Sequence, residues 1–300
     1  MYYIIYAFLY VVSLLPFFIL YGISDVVCFF MYRVFRYRKS LVIHNISIAF
    51  PTKTKKEREL IAKQFYKNFT DNFIETLKLI SMSPAEFDKR ISVNMDACNA
   101  LAASGKNIQF NSGHQMNWEY ASLAISKHLQ LPWLAVYKKI SSPPMEKLVL
   151  KIRTKFGATM VAIEEYAARM PALMKQQYAL GLIADQNPTE AKTAYWLNFF
   201  NRPAPFLTGT DKGPRRNKTA VVFVNIFKIK RGYYTLELKI ITDDGSRFKE
   251  GELTRMYRDF LEENIERQPA SYLWSHRRWK HQINSGHLKK WIDNVPAPAL

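Results

Sequence analysis

The stretch NSGHQMNWEY, residues 111–120, sets a histidine and a glutamate five positions apart, His114 and Glu119. It follows the apolar run of NIQFNS and leads into WEYASLAISKHL, a pattern of strand, turn and helix. Residues five apart on one continuous helix point about 140° away from each other. With His114 in the turn and Glu119 in the first turns of the helix, the chain can fold back and bring them together. A carboxylate on one ring nitrogen fixes the tautomer and raises the basicity of the other, which can then take a proton from a hydroxyl. The helix N-terminus beside the turn offers free backbone N–H groups to an oxyanion or a phosphate. Taken alone the pair is a weak signal, because the same two residue types also serve to cap a helix.

Rival chemistries lack their residues. There is no His-Glu-x-x-His and no second histidine within helical reach of His114, so a zinc site is not indicated. No G-x-S-x-G is present, and neither Cys28 nor Cys98 sits in a basic, polar setting. Covalent catalysis therefore has no evident agent, and direct attack by an activated acceptor is the expectation.

The elements that must position these residues read as alternating strands and helices. NIQFNS (107–112), PWLAVYKK (132–139), ATMVAI and ALGLIAD (179–185) read as strands. Between them lie WEYASLAISKHL, PPMEKLVLKIRTKFG closed by Gly157, and EYAARMPALMKQQY interrupted by Pro171, all with helical spacing. TAVVFVNIFKI and YYTLELKIIT, joined through KRG, predict a closing antiparallel pair, and GELTRMYRDFLEENIERQP a further helix. The expected fold is α/β: a mixed, largely parallel central sheet flanked by helices. Sites on such sheets collect at the carboxyl ends of the strands, where His114 falls. Upstream, residues 52–80 are helical by the spacing of Leu60, Ile61, Phe65, Phe69, Phe73, Ile74 and Leu77. Their early half is basic and suits either a membrane surface or an ordinary amphipathic helix. Ser83 and Pro84 open a short helix.

The first 24 of the 300 residues carry no charged side chain, and Asp25 is the only one before Arg33. A stretch from about Tyr2 to Met31 is long enough to cross a bilayer core, which takes roughly 20 helical residues. Arg33, Arg36, Arg38 and Lys39 follow the apolar run and favour retention of that flank on the cytoplasmic side. Pro16 predicts a kink, and a half-inserted interfacial anchor is the variant to a span. The formal net charge of +18 calls for an acidic partner, anionic lipid or nucleic acid, and the apolar anchor favours lipid. A charged fraction of 23% excludes a disordered chain, and two cysteines build no disulfide framework.

SGHQMNWEY resembles the GH-x-x-NWE block of the bacterial lipid A biosynthesis acyltransferases, the late acyltransferases within the lysophospholipid acyltransferase superfamily. Four further blocks are similar to that family in the same order: RKSLVIHNISIAFPTKTKKERELIAKQFYKNF, VYKKISSPPMEKLVLKIRTKFG, LIADQNPT with LNFFNRPAPFLTG, and QPASYLWSHRRWK. The resemblance implies a glycerolipid acyltransferase-like fold, with residues 1–35 as a transmembrane or interfacial anchor and 36–300 as a cytoplasmic acyltransferase domain. It implies transfer of a fatty acyl chain from acyl carrier protein, or from acyl-CoA, to a hydroxyl of an anionic glycolipid at the bacterial inner membrane. His114 would be the general base and Glu119 its orienting partner. Arg153, Asp185, Gln186 and Asn117 would contact substrate. No cofactor, metal or nucleic acid is expected. Acylation of another lysolipid or aminolipid rather than a lipid A precursor is the alternative within the class; a catalytically inert basic module binding membrane or nucleic acid is the alternative of a different class, and it has no need of His114, Glu119 and Arg153 together.

Two places depart from the family pattern. The usual FFG is Phe199-Phe200-Asn201, and the basic segment GTDKGPRRNKTAVVF stands where an alanine-rich helix is expected. Lys212, Arg215, Arg216 and Lys218 are there either to meet phosphates of the acceptor or carrier protein, or as a solvated loop. His276 is read as structural or phosphate-contacting, and Tyr272, Trp274 and Trp279 as packing or membrane-interface aromatics.

Overall fold

The computed structural model describes residues 2–299. Its strands are β1 (Ile91–Ser92), β2 (Ile108–Ser112), β3 (Trp133–Tyr137), β4 (Thr159–Ala162), β5 (Ala179–Ile183), β6 (Tyr195–Phe199), β7 (Arg202–Phe206), β8 (Ala220–Lys230) and β9 (Tyr233–Thr242). Seven form one sheet in the order β1-β9-β8-β2-β5-β3-β4. Strands β8, β2, β5, β3 and β4 run parallel; β9 pairs antiparallel with β8, as the sequence predicts, and β1 runs parallel to β9. The helices are α1 (Tyr2–Leu14), α2 (Phe17–Phe29), α3 (Lys39–Ala49), α4 (Lys55–Lys78), α5 (Pro84–Arg90), α6 (Asp96–Ala103), α7 (Trp118–His128), α8 (Pro143–Arg153), α9 (Tyr166–Leu173), α10 (Gly209–Asn217), α11 (Glu252–Arg267) and α12 (Ser285–Leu288).

Strand alternation divides the core in two. Val222, Val224 and Ile226 of β8 face a layer built with Tyr120, Leu123 and Ile152 of α7 and α8. Val221 and Phe223 face the other way, toward Phe65 and Tyr66 of α4 and Tyr257 and Leu261 of α11. Both sheet faces are covered, so β2 is buried almost throughout and reads as a nearly continuous run.

β6 and β7 form a separate antiparallel hairpin that the sequence reading does not contain. Two prolines in RPAPF argue against a strand, but on a two-stranded ribbon their missing donors cost little. The hairpin turns through Phe200 and Asn201, both with positive φ (49° and 58°). Asn201 thus stands where the family carries glycine because asparagine tolerates the left-handed region better than most residues.

The basic segment after the hairpin is not a loop: it folds as α10. Arg215 is paired with Asp211 and donates to the carbonyl of Phe248, while Lys212, Arg216 and Lys218 point to solvent. α10 runs into the start of β8, and Ala220 is in register with Ile108, the first residue of β2. Arg216 and Lys218 therefore lie at the edge of the sheet opposite to His114.

The apolar N-terminus is two helices rather than one kinked span. Pro16 sits between them in extended conformation, and the ammonium of Lys78 takes the freed carbonyls of Ser13 and Leu15 at 2.8 and 2.9 Å. The segment Phe17–Val34, which includes a π-helical turn at Phe30–Val34, is long and apolar enough to cross a membrane. It is nevertheless docked along α4 by a polar seam. Ser24 donates to Asp71 at 2.8 Å, Tyr21 donates to Glu75 at 3.0 Å, and Arg231 bridges Asp25 (2.7 Å) and the buried Asp71 (2.6 Å). Its other side is bare, with Phe18, Val26 and Phe29 exposed, as are Tyr3, Ile4 and Phe8 of α1.

Replacing Arg231 by methionine strips Asp71 of its principal counter-ion. Lys228 at 3.4 Å and the Ser24 hydroxyl remain. The expected loss is about 2 kcal/mol, below the cost of breaking a fully buried pair because Arg231 keeps partial exposure. Thermal unfolding of the full chain in detergent micelles measures it.

Candidate active site

The register of two neighbouring parallel strands builds the centre of the site. Ser112 of β2 lies opposite Ile183 of β5. Two residues further along each chain come His114 and Asp185, side by side at the carboxyl edge of the sheet. The His114 backbone N–H donates to Asp185 Oδ2 at 3.0 Å, and the ring Nδ1 meets Asp185 Oδ1 at 2.6 Å. An ionised carboxylate only accepts, so Nδ1 carries a proton, and in the neutral imidazole Nε2 presents its lone pair. Nε2 has no hydrogen-bond partner among the described residues. Gly113 permits the close approach: a Cβ there would come within 2.7 Å of Leu261 Cδ2 and 3.7 Å of Asp185 Cγ.

The expected contact between His114 and Glu119 is not formed. Glu119 is the partner of Arg153 instead, accepting from Nε at 2.9 Å and from Nη2 at 2.6 Å in a two-point fork. Helix geometry explains the correction. Glu119 is already in the first turn of α7 and faces α8, while His114 is held back against β5. Trp118 links the two pairs: its ring stands edge-on to the His114 imidazole with centroids 5.2 Å apart, and its indole N–H donates to Glu119 at 3.2 Å.

Asn117, expected on the substrate side, is an internal brace. It is buried, its Oδ1 caps α7 by accepting from the Tyr120 N–H at 3.1 Å, and its Nδ2 donates to Glu75 at 2.8 Å. Gln186 follows Asp185 and is half-buried at the end of β5. The turn itself is strained, with Met116 at φ 42°. It is held from two sides: Met116 N–H donates to the Ser271 carbonyl at 2.9 Å, and Asn72 of α4 donates to the Met116 carbonyl at 2.5 Å.

The C-terminal block closes the site from behind. Leu273 N–H donates to the His114 carbonyl at 3.1 Å, and Tyr272 and Trp274 are buried packing residues rather than interface aromatics. Trp279 stacks on Phe199. His276 is structural: its Nε2 accepts from the Asn187 N–H, and burial pushes its pKa down to about 4. Arg278 is wholly buried against the rings of Phe206 and Phe199 and donates to Asn187 at 3.2 Å. Burial works against the Asp185 carboxylate. The charge and hydrogen bonds of His114, with Arg278 nearby, outweigh it and hold the group below the ordinary carboxylate range. Arg153 remains a cation: its own burial disfavours the charge, but Glu119 more than restores it.

In front of His114 is a cleft walled by Phe65, Phe69, Asn72, Trp118 and Tyr272. A second, apolar cavity of ≈ 220 Å³ lies under α1, lined by Tyr6, Leu79, Leu148 and Ile152 with Lys151 and Lys155.

Fold and site together define a class: an α/β protein whose chemistry-bearing groups gather at the carboxyl edge of a largely parallel sheet, beside an apolar helix pair. The sequence profile of the bacterial lipid A biosynthesis acyltransferases matches residues 1–281. The chain belongs to that family and is an acyltransferase. Among its relatives is the lipid A biosynthesis palmitoleoyltransferase of Escherichia coli (strain K12), 22% identical over 245 residues, covering 81% of this chain and 79% of the relative. A lipid A biosynthesis acyltransferase of Shigella flexneri matches with the same identity and coverage.

Asp185 gives a signed pH dependence. Its native pKa lies below the ordinary value of 3.8, so its contribution to stability is present above that value and is lost as pH falls through the depressed native one. Asp185→Asn is expected to be less stable than wild type at pH 7 and to lose less stability between about pH 5 and 2. Denaturant midpoints measured across that range check it.

Proposed function

We propose that this acyltransferase moves a fatty acyl chain from the thioester of acyl carrier protein to a hydroxyl of a lipid A precursor, at the cytoplasmic face of the bacterial inner membrane. The observation that carries the reading is the 2.6 Å contact of His114 Nδ1 with a buried carboxylate, which leaves Nε2 as the accepting atom. Asp185, rather than Glu119, is the orienting partner in this mechanism.

Nε2 takes the proton of the acceptor hydroxyl as its oxygen attacks the thioester carbonyl. The new C–O bond forms, the C=O electrons move onto oxygen, and the tetrahedral centre collapses with cleavage of C–S. The imidazolium then returns its proton to the leaving thiolate. The thioester is already activated, so the protein supplies a base, charge stabilisation and alignment. Glu119 occupies Nε and Nη2 of Arg153 and leaves Nη1, which takes no hydrogen bond among the described residues, to meet the developing oxyanion or an acceptor phosphate. Gln186 lies beside the same edge. The Escherichia coli relative is a palmitoleoyltransferase, which suggests a long-chain donor.

Seating at the membrane follows from the bare side of α1 and α2 together with the +18 charge. Apolar side chains enter the lipid, and the basic surface is drawn to anionic headgroups. The polar seam keeps the inner side of α2 on the protein. An inert binding module would leave the His114–Asp185 and Glu119–Arg153 pairs without a use.

His114→Ala should lower acyl transfer by roughly a hundredfold or more, the usual contribution of a positioned base, while the protein, though less stable, still folds and associates with membranes. Transfer near the wild-type rate would remove His114 from the mechanism. In a strain lacking the protein, mass spectrometry of the lipids should reveal a glycolipid lighter by one acyl chain; an unaltered glycolipid profile would contradict the assigned acceptor.

A further inference from the structure

Glu75 is an unusual residue to place at the heart of an apolar helix layer. Its side chain is 0% exposed, and it has no cation within salt-bridge distance among the described residues. Both oxygens are nonetheless in use. Oε1 accepts from the hydroxyl of Tyr21 at 3.0 Å; Oε2 accepts from Nδ2 of Asn117 at 2.8 Å and from the hydroxyl of Tyr234 at 2.7 Å. The three donors come from α2, from the catalytic turn and from β9. Burying a carboxylate among neutral donors is costly, and burial accordingly raises its pKa. No apolar side chain of that volume could hold three separate elements by directed bonds.

The bond to Asn117 has a specific consequence. Oδ1 of Asn117 faces the Tyr120 N–H, which can only donate, so Nδ2 is the atom turned toward Glu75. That orientation is the one in which Asn117 caps α7, and α7 begins with Trp118 and Glu119, the link to His114 and the holder of Arg153. One turn earlier on α4, Asn72 pins the strained Met116 carbonyl. The same stretch of α4 therefore shapes the turn on one side and receives the apolar helix α2 on the other.

We propose that Glu75 is a positioning residue that makes the geometry of the catalytic turn depend on the docking of α2: Tyr21 reaches from the lipid-seated helix to Glu75, and Glu75 sets Asn117 and the start of α7. When α2 is seated, Glu75 has all three donors and the turn is fixed. When α2 lifts, Oε1 loses its partner and the carboxylate competes for the turn's own donors. This inference rests on the reading of His114 as the base.

The test uses the full chain in liposomes, with palmitoleoyl acyl carrier protein as donor and the underacylated glycolipid of the deletion strain as acceptor. Tyr21→Phe and Glu75→Gln are expected to lower kcat by roughly tenfold or more, the scale of one hydrogen bond to a charged group, while KM for the donor stays within about twofold. Tyr21 acts through Glu75, so the double variant should be no slower than Glu75→Gln alone. Wild-type kcat in either single variant, or effects that multiply in the double variant, would overturn the coupling. If Glu75→Gln does not accumulate as folded protein, Tyr21→Phe, which removes a single oxygen, decides on its own. An inactive wild type, or an active His114→Ala, sinks the proposed function instead; loss of activity in His114→Ala beside unimpaired Tyr21→Phe and Glu75→Gln sinks only this inference.

Discussion

One carboxylate takes two hydrogen bonds from one residue, and the site is arranged around that contact. Asp185 receives both the backbone N–H and the ring N–H of His114. The first bond fixes where the residue is, and the second fixes the ring orientation and tautomer. Neither survives exposure: in water the carboxylate would be solvated and the imidazole free to rotate. Asp185 is accordingly buried, and Gly113 leaves the room for it: a Cβ there would come within 2.7 Å of Leu261 Cδ2, which would have to shift. A buried charge needs compensation, and the structure supplies it from His114 in front and from Arg278, set between two phenylalanine rings, behind.

Two further carboxylates have different tasks, and their environments separate them. Glu119 meets a guanidinium in a two-point fork and serves to aim Arg153. Glu75 meets only neutral donors, and its value lies in joining three elements rather than in charge pairing. Asp185 alone touches the imidazole. The sequence offers all three as acidic residues near apolar runs; only the contacts assign the roles.

The alternation of strands and helices was legible because each strand is short, apolar and bounded by turn residues. The β8–β9 pair was legible because two long β-branched runs flank KRG. What periodicity could not supply was strand order. β3 and β4 intervene in sequence between β2 and β5, so nothing local says that His114 and Asp185, 71 residues apart, are neighbours. The available clue was that both lie just past the carboxyl end of an apolar strand; Asp185 itself entered as a site residue through the family resemblance, without its partner. The proximity of Glu119 in sequence suggested the wrong pairing, since the turn and the helix point their side chains to different neighbours. α4 misled in another way. Its apolar spacing is real, yet Leu60 and Phe73 are exposed while Asp71 and Glu75 are buried, because this helix packs against a polar seam on one side and leaves hydrophobic residues outward.

That inversion bears on how an amphiphilic acceptor reaches the base. A helix buries acids and exposes phenylalanine only where its outer surroundings are not water, or where a neighbour supplies the polar partners. The second condition holds for α4, and on the proposed reading the first does as well. Arg231, Ser24 and Tyr21 satisfy its acids, and Phe73 is exposed, as are Phe18, Val26 and Phe29 of α2. α4 packs against α2, and its Phe65, Phe69 and Asn72 wall the cleft in front of His114; packed helices lie about 8–10 Å apart axis to axis. On the proposed reading the imidazole is thus about one helix diameter from the lipid-seated surface. A glycolipid can present a hydroxyl there while its existing chains stay in the bilayer, which avoids the large cost of drawing them into water. The same geometry explains why the seam beneath α2 is polar: directed hydrogen bonds hold the depth and angle of the helix relative to the cleft, which a purely apolar contact, free to slide, would leave undefined.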